Sequence, residues 1–141
     1  MALDVYDFRE RGTSGVATAT EDLARRAIGA AIEVHDHLGP GLPEIAYRRA
    51  LVHEFRLRGI PCQEEVQAPI YYKGEHVADG RIDLLVGGVL ILELKVVEAI
   101  HEVHIAQTLA YLKTMNLQLG LIMNFNVALL RNGIKRVVNT K

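Results

Sequence analysis

The stretch Val89-Leu90-Ile91-Leu92-Glu93-Leu94-Lys95-Val96-Val97 decides how the chain is read. Seven of its nine residues are Leu, Ile or Val, which suits a central β-strand covered on both faces. Side chains alternate along a strand, so the segment splits by parity. Leu90, Leu92, Leu94 and Val96 form one wholly apolar face, and Val89, Ile91, Glu93, Lys95 and Val97 form the other. Two opposite charges therefore sit mid-strand among aliphatic neighbours. An ion buried without a partner costs several kcal/mol even after relaxation, so this face needs an ion pair, further charges or a bound cation.

The preceding strand supplies a further charge. Asp83 lies between Ile82 and Leu84, ten residues before Glu93, with Gly87-Gly88 between the two segments. A two-residue Gly87-Gly88 turn pairs Asp83 with Leu92 and turns it away from Glu93. A three-residue turn that includes Val89 sets Asp83 directly opposite Glu93, where like charges repel unless a cation lies between them. The register thus decides whether an acidic site exists. The alternative for Asp83, Glu93 and Lys95 is a network of structural ion pairs, of the kind that contributes little at a surface.

Working outward, the N-terminal side is helical. Residues 1–18 read as a loosely held arm. Thr18 and Glu21 stand at capping-box spacing, followed by Leu23, Ala27, Ala30, Ala31, Val34 and Leu38 at helical period, and Gly39-Pro40-Gly41 ends the helix. Pro43 suits the first turn of a second helix with Ile45, Leu51, Val52 and Phe55 as its apolar set, closed by Gly59. Val66, Ile70, Tyr71 and Tyr72 mark a first strand, which Pro69 confines to an edge or a strand end. A turn at Lys73-Gly74-Glu75 leads to a second strand over His76–Val86. Beyond Val97, residues 102–115 return to a helical pattern with Val103, Ala106, Leu109, Ala110 and Leu112 inward. Leu117–Phe125 reads as another buried strand. Val127–Leu130 and Ile134–Val138 around Asn132-Gly133 read as a closing hairpin or added strand. The order ααβββαβ plus that closing element predicts one α/β domain, residues 19–141, with helices covering a mixed sheet.

Composition narrows the class. A chain of 141 residues is one domain, large enough to form a core without disulfides or a structural metal. Half of it is hydrophobic and only 6% aromatic, so that core is aliphatic. Cys62 is the sole cysteine, which excludes an intrachain disulfide and a zinc-finger cluster. The N-terminal residues do not resemble a signal peptide, and no apolar run reaches the roughly 20 residues that span a bilayer, so a cytoplasmic protein without a membrane partner is expected. The formal charge of −1 implies that any surface for nucleic acid is a local basic patch. Two such clusters stand out: Arg48, Arg49, Arg56 and Arg58 on the second helix, and Arg131, Lys135 and Arg136 near the C-terminus. His101 and His104 have a spacing that can bind zinc, with nothing nearby to complete a site. A second copy of the chain is also a possible partner, since a long apolar strand favours dimers.

Glu44 opens the second helix, with Tyr47 and Arg48 on the same face. Gly41-Leu42-Pro43-Glu44-Ile45-Ala46-Tyr47 has the form G-x-x-E-x-x-Y. It is followed in order by IYYKGEHV (70–77), RIDLLV (81–86), LILELKVVEAI (90–100), HIAQTLAYLK (104–113) and GLIMNFN (120–126). On these motifs residues 20–138 resemble the GxxExxY family, a branch of the PD-(D/E)xK nuclease superfamily. The resemblance implies a restriction-endonuclease-like layered α/β/α fold with a metal site at a fork in the sheet. It also implies a helical acid at Glu44, an Asp at Asp83, an E-x-K at Glu93 and Lys95, and a helix glutamine at Gln107.

The chemistry so implied is hydrolysis of nucleic-acid phosphodiester bonds. Asp83, Glu93, Glu44 and a main-chain carbonyl near Leu94 would hold Mg²⁺ or Mn²⁺, hard cations that take oxygen ligands. Lys95 would orient water or neutralise phosphate, Gln107 would assist in orientation, and Tyr47, Arg48 and Tyr111 are candidate substrate contacts. The competing function is a nuclease fold that binds nucleic acid or a protein without cutting.

Overall fold

A computed structural model describes residues 15–140. Most of the expected N-terminal arm lies outside that range, but its end does not behave as an arm. Val16 is buried in the core, and the Ala17 N–H donates to Gln118 Oε1 at 2.8 Å.

Two helices come first, α1 (Thr18–Leu38) and α2 (Glu44–Arg58). The inward stripe of α1 is largely alanine: Ala24, Ala27, Ala30 and Ala31, with Ile28 and Val34. Side chains this small let the helix lie close to α2 and the sheet. The capping box expected at Thr18 and Glu21 does not form. Ala17 occupies the N-cap without a side-chain bond, and Glu21 is turned inward at 1% exposure, where Arg136 holds it through two bonds of 2.8 and 2.5 Å. Gly59 ends α2 in the left-handed region (φ 69°), which allows the Ile60 N–H to reach back to Phe55 O at 2.8 Å and buries Ile60.

The five strands are β1 (Cys62–Tyr72), β2 (Glu75–Val86), β3 (Leu90–Lys95), β4 (Leu119–Asn124) and β5 (Ile134–Val138), in spatial order β1-β2-β3-β4-β5. Only β3 and β4 are parallel, joined through α3 (Glu102–Met115), so the sheet is mixed as expected. Pro69 lies in β1, an edge strand, as its missing N–H requires. Leu90, Leu92 and Leu94 of β3 join Leu119, Leu121 and Met123 of β4 in the core beneath α1 and α2. Ile91 and Ile122 face a smaller core beneath α3. The result is a layered α/β/α domain.

Two expectations need correction. The closing hairpin is absent: residues 126–129 are bends, Leu130–Gly133 is a 3-10 turn, and only β5 joins the sheet, antiparallel to β4. Gly133 shows why the Asn-Gly pair makes no hairpin turn, since a Cβ there would lie 2.3 Å from the Asn124 carbonyl oxygen and the chain is pressed against β4. In α3 the inward face was misjudged. Val103 is 69% exposed and Ala106 and Ala110 are exposed, whereas Thr108, Tyr111 and Leu112 are buried, flanked by Ile105, Leu109 and Met115. On the other helices, Ile45 and Leu38 are likewise exposed rather than inward.

Candidate metal and active site

The turn between β2 and β3 contains Gly87, Gly88 and Val89. Val86 pairs with Leu90, Leu85 with Ile91 and Leu84 with Leu92. Both glycines have positive φ (59° and 73°), the conformation this connection demands. This is the three-residue register, and its next pair is Asp83 with Glu93.

At that pair the ladder stops. The Asp83 N–H donates to Glu93 Oε2 at 3.1 Å, and the Leu94 N–H donates to Asp83 Oδ2 at 2.8 Å. Each carboxylate thus accepts a backbone N–H from the opposite strand where a ladder bond would otherwise lie, and the strands fork around the two acids. The carboxylate oxygens not engaged by these amides are not buried orphans and reach solvent. The distortion extends to β1, where Glu65, across from Asp83 in register, has φ 54° in mid-strand.

Electrostatics at the fork are unfavourable to two negative charges. Glu93 is 3% exposed, and burial first, with the Asp83 charge second, raises its pKa to about 8, against the Asp83 N–H and Lys95, which lower it. Burial also raises Asp83, opposed by its bond from Leu94 and by Lys95, Arg48 and Arg81. Glu44, half-buried at the first residue of α2, is raised by burial and by Asp83. It is near enough to feel the other two acids. Even so, among the described residues no three His, Cys, Asp or Glu side chains form a group arranged to hold a metal ion. The expected three-carboxylate ligand set is therefore not assembled; the structure brings together Asp83 and Glu93, with Glu44 to one side. The donor set still fits a hard divalent cation. It is all oxygen, it has surplus negative charge that burial makes costly, and ions such as Mg²⁺ commonly take only one or two carboxylates and keep their waters.

Lys95 ends β3, half-buried, two residues beyond Glu93 on the same face. Its exit is clamped by a residue that sequence reasoning had set aside as a strand end. Buried Asn124 accepts from the Val97 N–H at 3.1 Å and donates to Val97 O at 2.8 Å, while the Phe125 N–H donates to Lys95 O at 2.9 Å. A lone Asn at the end of an apolar strand gives no signal of such a role. Arg81 and Glu65 were also missed as charges surrounding the site.

The remaining expected residues divide. Arg48 is beside the acids, and its charge acts on Glu44 and Asp83. Gln107 is exposed on α3, on the stripe between His104 and Tyr111. Tyr47 is not placed to meet a substrate. It is fully buried, stacks on Phe125 at 4.6 Å, donates to Gly39 O at 2.6 Å and accepts from the Leu42 N–H at 3.2 Å, which ties the loop ahead of Glu44. Tyr111 is buried against β2, where only a glycine at position 80 leaves room for its ring. His101 and His104 serve α3 instead of zinc. They form a reciprocal capping box in which the His101 N–H donates to His104 Nδ1 at 3.0 Å.

Searches among curated proteins and among solved structures find no match. Among the described residues no helix is long and apolar enough to cross a membrane. A family model, that of the PD-(D/E)XK nuclease superfamily, matches residues 21–137. That span runs from the first turn of α1 into β5 and takes in both cores and the fork, and three helices with an open five-stranded mixed sheet agree with a restriction-endonuclease-like fold. The chain belongs to the PD-(D/E)XK nuclease superfamily.

Proposed function

We propose that the protein is a divalent-metal-dependent nuclease of the GxxExxY branch, hydrolysing nucleic-acid phosphodiester bonds at the fork between β2 and β3. The observation that carries this reading is the pair of carboxylates inserted into the fork, each held by an N–H of the opposite strand, with Glu93 buried and its pKa raised to about 8. Two acids held together at this cost are the preorganised half of a cation site.

Asp83 and Glu93, with the main-chain carbonyl of Leu94, would hold Mg²⁺ or Mn²⁺. When bound, such an ion supplies charge neutralisation and Lewis-acid polarisation to a phosphodiester. Lys95, whose charge already acts on both acids, holds the attacking water or a phosphate oxygen in line. Glu44 adds negative charge on the α2 side and Arg48 offers a guanidinium to substrate phosphate. Gln107 reaches over from α3 as an orienting amide.

The test is calorimetric titration of Mg²⁺ and Mn²⁺ into wild type and Asp83→Ala, with labelled single-stranded, duplex and branched DNA and RNA incubated in parallel. Metal binding and cleavage that both vanish in the variant are expected. Absence of metal binding at millimolar concentration would overturn the nuclease reading, and nucleic acid bound without cleavage would leave a binding module on this fold.

A further inference from the structure

The largest cavity in the described structure, about 520 Å³, lies between α2 and β1. Arg48, Arg49, Val52 and Arg56 form one wall, on successive turns of α2, and Glu64 and Glu65 of β1 form the other. Arg48 lies one helical turn beyond Glu44, so the cavity opens beside the acidic fork and leads away from it.

The charges in this groove are unevenly committed. The other basic residues singled out in the sequence are engaged elsewhere: Arg58 pairs with Glu54 at 2.7 Å, and Arg136 holds Glu21. Arg49 and Arg56 are exposed and form no ion pair among the described residues. Arg48 is partly satisfied. Its Nη1 bonds Glu65 Oε2 at 3.0 Å, yet its Nε is buried with no acceptor. Arg81 approaches the same Glu65 oxygen at 3.6 Å. Glu65 is therefore an anion set between two guanidinium groups, on a backbone whose φ of 54° a residue with a Cβ rarely adopts.

We propose that this groove is the track for the sugar-phosphate backbone of the nucleic acid, and that the Glu65 carboxylate occupies the phosphate position at Arg48 until substrate displaces it. The proposal rests on the nuclease reading above and adds to it the path of the strand. Guanidinium forks match phosphate oxygens two at a time, and arginines repeated along a helix face meet successive phosphates of an extended strand. Nothing in the groove is aromatic or shaped to a base, so binding is to the backbone and independent of sequence.

The experiment is equilibrium anisotropy of labelled single-stranded and duplex DNA and RNA oligonucleotides in Ca²⁺ over a series of salt concentrations. The proteins are wild type, Arg49→Gln/Arg56→Gln, Glu65→Gln, and Arg131→Gln as a control at an exposed site beside β5. The double variant should bind roughly tenfold more weakly, with a slope of log K against log[salt] smaller by about two, while Arg131→Gln keeps the wild-type slope. Glu65→Gln should bind several-fold more tightly, a gain that general loss of structure would not produce. Wild-type affinity and slope in the double variant, or weaker binding by Glu65→Gln, would overturn the track. So would displacement of the oligonucleotide by equimolar inorganic phosphate or mononucleotide, which would mark a single-phosphate site. Cleavage and metal binding by wild type, with no effect of Arg49 and Arg56 on affinity, would leave the nuclease reading intact and remove only the groove. Groove-dependent binding by a protein that takes up no Mg²⁺ would do the reverse.

Discussion

Glu93 links the candidate chemistry to a measurable stability. In the metal-free protein its carboxyl has a pKa of about 8, against 4.5 for an ordinary glutamate. In the unfolded chain it ionises near 4.5, so between these values the folded state holds a proton that the unfolded state has lost. Stability is then greatest below about 4.5 and falls as pH rises toward 8. The gradient for one proton is about 1.4 kcal/mol per pH unit, which gives a ceiling on the order of 4 kcal/mol by pH 8. Admission of water as the fork opens reduces it. The assay is urea unfolding of the chelator-treated protein from about pH 5 to about pH 8, compared with Glu93→Gln. The amide can still accept from the Asp83 N–H, and the difference between the two proteins cancels groups they share, such as His104, whose lowered pKa works in the opposite direction. Wild type should lose stability relative to the variant across this window. Saturating Mg²⁺ should restore it at pH 8 in wild type alone, since only the ionised carboxylate binds the cation. Parallel pH profiles for the two proteins without metal would refute the account of Glu93 as a buried, uncompensated acid.

The packing makes two further predictions. Gly80→Ala would set a Cβ 2.3 Å from the Tyr111 ring and should cost about 1–3 kcal/mol in urea unfolding; the same change in a Tyr111→Leu background should cost far less, and equal costs would contradict the contact. Asn124→Ala removes the side-chain bonds at both Val97 N–H and Val97 O and should destabilise by about 1–3 kcal/mol, with faster hydrogen exchange at Val97 and weaker Mg²⁺ binding; wild-type exchange at Val97 would show that Asn124 does not hold the exit from Lys95.

Where residues at sequence distance meet was legible only in part. Glu21 has the spacing of a cap to Thr18, but a local signal cannot anticipate Arg136, which reaches it from β5 across 115 positions. Apolar residues on α3 stand on several sides of the helix, so periodicity could not choose between Val103–Ala106–Ala110 and Ile105–Leu109–Leu112; docking against β1, β3, β4 and β5 made that choice. His101 and His104 at i,i+3 suit either a ligand pair or a cap, and backbone geometry at the start of α3 selected the cap.

By itself, the sequence determined the order of elements, the central place of β3 and the parity that sets Glu93 and Lys95 on one face, because these follow from local periodicity and from the turn glycines. It also reduced the acidic site to a choice between two registers. Tertiary structure alone decided that choice, the parting of β2 from β3 around Asp83 and Glu93, and the position of Glu44 to one side of them. The physical reason is that periodicity describes which way each side chain points along its own element. Whether two charges meet, and how far water is excluded from them, depends on how separate elements pack.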